Sequence, residues 1–315
     1  MKMSVKQSDL SVRELIASER KKRKWSEKVE RLIPTGLFLV ASVSVLTTIA
    51  IVYVLFSESI HFFKEVSMIE FYTGTILKPM SQNPQFGILP LLVGTVTSTF
   101  IALAVAVPIG LLAAIYLSEY ASYRVRALLK PILEVLAGIP TIVYGFFAFT
   151  FVTPVLQKII PSLEPTNILS PGLVMGIMIV PMITSLSEDA MNAVPHSLRE
   201  GALGLGASKA EVALKIVFPA ALSGIIAAIV LALSRAIGET MIVTIASGSS
   251  KNFTFDLTQS MQTMTAYIVE VTGGDAAAGS TIYYSLYAVA MTLFIFTLVM
   301  NLLANKIGKK LRQQY

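Results

Sequence analysis

The chain has 315 residues, 54% of them hydrophobic and only 14% charged, with a mean hydropathy of +0.71. Soluble domains carry about 25% charged residues, so a water-soluble globular domain is excluded. The net charge of +6 does not mark a nucleic-acid binder, because ten of the 25 Lys and Arg precede Leu32 in a tail containing ERKKRKW. Without cysteine there is no disulfide framework and no thiolate metal site.

The basic tail, residues 1–31, reads as an anchor beside anionic lipid. Ser11 with Glu14 has the spacing of a capping box that opens a short interfacial helix, with Trp25 at headgroup level. The apolar segment that follows is too long for the core of a secretory signal, and no small-x-small cleavage site follows it.

Residues 32–56, 79–118 and 276–305 contain no charge. Each exceeds the roughly 20 residues that a helix needs to cross about 30 Å of hydrocarbon. Hydropathy predicts six spans near 32–57, 90–117, 131–156, 168–187, 217–247 and 281–304. The basic residues alternate accordingly. The tail, the 118–130 loop (Arg124, Arg126, Lys130), the 188–216 loop (Arg199, Lys209, Lys215) and the C-terminus (Lys306, Lys309, Lys310, Arg312) fall on one side. The other side holds only Lys64, Lys78, Lys158 and Lys251. The positive-inside rule then predicts an all-α integral membrane protein with both termini in the cytoplasm. Pro108, Gly110, Gly138, Pro140, Gly145 and Pro181 predict kinks that face the bundle, where neighbours satisfy freed backbone groups. Glu134 is expected at the interface. His61 and His196 fall in different compartments and make no metal site.

The loop VPHSLREGALGLGASKAEVALKIVFP, residues 194–219, reads as helix, turn, helix. Pro195 suits a first helical turn, Gly206 a left-handed helix end, Ser208 with Glu211 a capping box, and Pro219 a further break. Such a short, partly apolar helix suits either a partner's groove or the bilayer surface. Spacing separates these: Glu200-Gly201-Ala202, three residues, Gly206, nine residues, then Ile216-x-Phe218-Pro219. It resembles the EAA motif of ABC importer permeases, with Gly201 for the first Ala and Phe218 for Leu. The resemblance implies a type I importer permease fold whose 188–218 loop docks on a separate ATPase. No G-x-x-x-x-G-K-[ST] loop occurs in the chain, so ATP and Mg are expected on that partner and no cofactor here.

SRAIGETMIV at 234–243 and EVLAGIPTIVYGFF at 134–147 resemble the phosphate-specific ABC permeases, C-type subunit. The similarity spans about residues 33–305. It implies an importer in the prokaryotic cytoplasmic membrane with a second permease, two ATPase subunits and an external phosphate-binding protein, which the 248–280 loop is placed to meet.

Arg235 and Glu239 interrupt an apolar run, and mid-bilayer charges cost roughly 2.5–3.5 kcal/mol each. Their i, i+4 spacing predicts one helix face and a mutual pair. Three roles fit: a gated anion contact with Arg235 as the fork and Glu239 and Thr240 beside it, a structural ion pair, or a proton relay. Ala220, Gly224, Ala228, Ala232 and Ala236 make a small-residue stripe for close packing, within the subunit or against the second permease. A permease of another oxyanion importer, for molybdate or sulfate, and a secondary transporter are the rival readings. No catalytic constellation is visible.

Overall fold

The computed structural model describes residues 12–274 and 276–310, with side chains for residue 30 and, within that range, residues 32–306 and 308. The expected Ser11–Glu14 capping box and the Trp25 side chain lie outside the described residues. The chain divides into two units between Leu55 and Phe56. The first consists of most of helix α1 (Val12–Glu65), which continues into the second unit. Its apolar side chains from Leu32 to Leu55, such as Phe38, Val40 and Tyr53, are mostly exposed, and Leu32–Glu65 of α1 is long and apolar enough to cross a membrane.

In the second unit the end of α1 meets α2 (Met68–Thr73) and the antiparallel pair β1 (Leu77–Lys78) and β2 (Gln85–Phe86). Phe62, Phe71 and Phe86 pack edge to face at 5.3–5.4 Å around Phe62, the arrangement favoured by the ring quadrupoles. Helix α3 (Leu89–Ile115) continues as a π-helical turn, Tyr116–Tyr120. After α4 (Tyr123–Gly138) come α5 (Thr141–Phe147), a second π turn (Ala148–Val152) and α6 (Thr153–Gln157). Helices α7 (Leu169–Asn192) and α8 (His196–Gly204) precede the short α9 (Lys209–Glu211). A third π turn (Val212–Val217) leads without interruption into α10 (Phe218–Ile237). Helices α11 (Met241–Ala246), α12 (Met264–Gly273) and α13 (Thr281–Lys310) complete the chain.

Among the described residues, five helices have the length and composition of spans, and the bent pair Tyr123–Gly138 with Thr141–Gln157 makes a sixth if counted as one. The third span expected over 131–156 is therefore not straight. It turns through 87° at Ile139–Pro140, because a proline disfavours the helical conformation in the residue before it. Pro108 and Pro181, by contrast, sit inside continuous helices. The fifth expected span, 217–247, also ends early, with α10 stopping at Ile237.

Helices α3, α7 and α10 form the core. Gly176 sits so close to α3 that a Cβ there would stand 2.8 Å from the Val105 side chain and 2.9 Å from the Ala102 carbonyl oxygen. Small residues bring backbones together where lipid supplies no hydrophobic drive between helices. Around this seam Met175, Ile179, Ile183, Ala232 and Ala236 are buried.

Candidate functional site: a docking helix and a charged cavity

Helix α8 ends in a Schellman turn. Gly206 adopts φ +89°, Gly206 N donates to Leu203 O at 3.0 Å and Ala207 N to Ala202 O at 3.1 Å. This left-handed position favours glycine. Ser208 then accepts from Glu211 N at 3.3 Å while the Glu211 carboxylate accepts from Ser208 N at 3.1 Å, a complete capping box. Pro219 does not break the chain as the sequence suggests. It stands at the second residue of α10, directly after the π turn, and the helix runs on through it.

One face of this loop is built in and the other is bare. Leu198, Ala202 and Ala207 pack against a cluster that includes Met191, Val194, Val212, Val217 and Ile225. Glu200, Gly201 and Gly206 are exposed, Ile216 and Pro219 half-buried, and Leu205 stands 92% exposed at the apex.

Arg199 fastens the loop. Its guanidinium donates from Nη1 to Val194 O at 2.6 Å and from Nη2 to Met191 O at 2.7 Å, capping the carbonyl end of α7 where a cation is favoured. It also pairs with Glu119 at 3.1 Å, the two side chains 12% and 8% exposed. A second carboxylate, Glu188 of α7, is fully buried and lies 3.5 Å from Arg126 Nε and 3.2 Å from Lys130 Nζ, both on α4. Arg126 also donates to the Leu117 and Ser118 carbonyls in the π turn that follows α3.

Above this cluster lies a cavity of about 520 Å3 between α4, α7 and α10. Its charged members are Lys130, Glu134, Glu188, Asp189 and Arg235. Arg235 is exposed, with Nη2 3.9 Å from Met178 Sδ, and no carboxylate lies within 4 Å of it among the described residues.

The expected Arg235–Glu239 pair does not form. Helix α10 ends at Ile237, so the four-residue spacing no longer sets both side chains on one face. The Glu239 side chain instead turns onto the start of α11, accepting from Met241 N at 3.0 Å and Ile242 N at 3.3 Å. Its backbone carbonyl accepts from Thr265 Oγ1 at 2.8 Å. Thr240 is half-buried and donates to Gly238 O at 3.2 Å. Ala228, Ala232 and Ala236 are buried, and a Cβ on Gly224 would lie 2.5 Å from the Ala190 Cβ of α7, while Ala220 is half-buried beside the same helix. The stripe thus packs within its own chain, against α7 and α3, whereas Ala227, Leu231 and Arg235 form the exposed face of α10.

Sequence reading missed Glu119 and Glu188, and treated Arg126, Lys130 and Arg199 as topology charges alone. The available signal was Glu188, a carboxylate directly after a long uncharged run.

Residues 106–313 match the family model described as binding-protein-dependent transport system inner membrane component. A probable ABC transporter permease protein, YqgH of Bacillus subtilis, is 31% identical over 304 residues, 96% of this chain and 97% of that protein. The phosphate transport system permease protein PstC of Mesorhizobium japonicum is 33% identical over 255 residues, 75% of this chain and 76% of its own length. Among solved structures, a bacterial ABC transporter involved in the import of the acidic polysaccharide alginate superposes with a TM-score of 0.64 at 16% identity, covering 92% of this chain and all of that one. The MetNI methionine ABC transporter, in inward facing conformations, gives 0.54 at 16% identity over 72% of this chain and 95% of its own. These two share the fold, a type I ABC importer permease, and the chain belongs to the family of binding-protein-dependent transport system inner membrane components.

Proposed function

We propose that this chain is the C-type permease subunit of an ATP-driven importer of inorganic phosphate in the prokaryotic inner membrane. It forms half of the translocation pathway with a second, homologous permease. ATP and Mg are bound and hydrolysed by two partner ATPase subunits docked on the α8 loop, and an external binding protein delivers phosphate near the 248–280 loop. Both termini are cytoplasmic, in keeping with the distribution of basic residues. Support for the substrate comes from the phosphate permeases at 31–35% identity over most of the chain. Support for the docking role comes from Leu205, a bare apolar knob on a loop whose other face is locked.

The observation that carries the reading is Arg235. An unpaired guanidinium on the exposed face of a span is costly against lipid, so that face of α10 lines a polar pathway. Its planar fork matches phosphate oxygens with two parallel hydrogen bonds. Glu239 serves as a cap near this group, so the anion contact belongs to Arg235 and not to an exchange between the two.

Purification from native membranes tests the whole: an ATPase and a second permease copurify, and phosphate stimulates ATP hydrolysis. In that assembly Arg235→Gln abolishes phosphate uptake without loss of subunits, and Arg235→Lys retains a fraction. Uptake that persists in Arg235→Gln refutes the pathway role, and loss of assembly makes Arg235 a structural residue. Uptake without an ATPase, driven by an ion gradient, would move the chain to the secondary transporters.

A further inference from the structure

The two buried carboxylates at the α8 end are not separate features. Arg199 of the docking helix pairs with Glu119 at 3.1 Å. The same Glu119 Oε1 accepts from Ser118 Oγ at 2.9 Å, and Ser118 Oγ also lies 3.2 Å from Asn192 Oδ1. Asn192 Nδ2 donates to Glu188 Oε1 at 3.3 Å, and Glu188 Oε2 meets Lys130 Nζ at 3.2 Å in the wall of the Arg235 cavity. A chain of polar contacts therefore runs from the docking helix to the cavity through the π turn after α3, then α7 and α4, its last link to Lys130 an ion pair and not a hydrogen bond.

Its chemistry gives it two states. The Asn192 amide is oriented by its neighbours, since the opposite orientation would set its oxygen against the Glu188 carboxylate. Ser118 thus faces two acceptors, Glu119 and Asn192, with a single proton to donate. Donation to Glu119 supports the Arg199 anchor, and donation to Asn192 supports the grip on Glu188 and, through it, Lys130. Apolar packing between α3 and α7 has no comparable alternative, because interdigitated side chains allow one arrangement.

We propose that Ser118 and Asn192 are positioning residues that couple movement of the docking helix to the ion pairs of the cavity wall. The inference rests on the reading of this chain as an ATP-driven permease. Coupling along a contiguous path requires that both ends bias it, which sets the experiment.

The complex of this chain with its copurifying subunits is reconstituted in vesicles, and phosphate moved per ATP hydrolysed is measured. Ser118→Ala lowers that ratio about fivefold or more, with assembly and ATP hydrolysis in the absence of phosphate unchanged. Ser118→Thr, which keeps the hydroxyl, restores it. Arg199→Gln and Lys130→Gln are then combined: the double variant couples no worse than the poorer single one, because either cuts the same chain. An unchanged ratio in Ser118→Ala, equal defects in the Ala and Thr variants, or additive effects in the double variant each overturn the proposal. Unmodified complex that hydrolyses ATP without moving phosphate overturns the functional reading, and the proposal with it.

Discussion

The two ends of the bundle are held by different forces. At the α8 end, charges dominate: Glu119 with Arg199, and Glu188 with Arg126 and Lys130. At the opposite end, around the start of α3, the start of α7 and the loop after α11, one ion pair, Lys251 with Glu270 at 2.7 Å, stands beside irregular backbone that is bonded mainly by hydroxyls, amides and other backbone. Thr95 Oγ1 accepts from Met264 N at 3.0 Å, Asn167 Oδ1 from Ser170 N at 2.8 Å, Asn167 N donates to Ala246 O at 3.1 Å, and Ile168 N to Gln259 O at 3.2 Å. Backbone outside helices must find every partner locally when water is scarce, and short directional bonds leave little room for movement. Ion pairs tolerate changes of distance and partner. The hydroxyl- and amide-bonded end suits a fixed frame, and the charged end suits the proposed docking of a moving partner.

The largest effect expected from this contrast is at Arg199. Replacing it by Leu leaves Glu119 buried without its cation, an uncompensated charge that costs about 3–5 kcal/mol. Thermal unfolding in detergent registers this as a marked loss of stability. Adding Glu119→Gln removes the orphaned charge and recovers most of it. A double variant as unstable as Arg199→Leu alone would mean that the lost carbonyl contacts to Met191 and Val194, not the ion pair, hold this end.

At the hydroxyl- and amide-bonded end the matching test is Gly94. A Cβ there would fall 2.3 Å from the Gln262 carbonyl oxygen, a backbone atom that cannot swing aside. Gly94→Ala is expected to cost about 1–3 kcal/mol by overpacking, read from the same unfolding curve. Gly201→Ala, on the bare side of α8 with nothing within 4 Å of the added carbon, changes stability little or raises it. Equal losses at both glycines would erase the difference between the ends.

Much of this was legible from the residues. The spans follow from hydropathy because a run of more than 20 apolar residues has few other solutions. The helix–turn–helix of residues 194–219 follows because Gly206, Ser208 and Glu211 act within one turn of themselves. What failed was the extrapolation of helical spacing across a helix end. Arg235 and Glu239 share a face only if the helix continues past Ile237, and Gly238 stops it there. The bend at Ile139–Pro140 was visible as a kink but not as an 87° turn, since its size depends on packing against other elements. Glu188 escaped because its partners, Arg126 and Lys130, lie some 60 residues away, and pairing over that distance follows from the fold.

Glu239 allows the finest distinction, between a carboxylate that caps and one that carries charge along a pathway. As a cap it needs only an acceptor oxygen for Met241 N and Ile242 N. Glu239→Gln retains that oxygen, so stability should hold to within a few tenths of a kcal/mol, whereas Glu239→Ala should lose about 1 kcal/mol. Phosphate uptake separates the roles. A pure cap predicts normal uptake in Glu239→Gln and a modest fall in Glu239→Ala, in step with the stability of α11. A charge that acts on Arg235 or on the anion predicts the reverse order of severity: Gln, stable yet defective, because it removes the charge and leaves the fold intact. The hydrogen bonds to α11 and the absence of a Glu239–Arg235 ion pair within 4 Å favour the cap, so unfolding and uptake measured on these two variants should rank them alike.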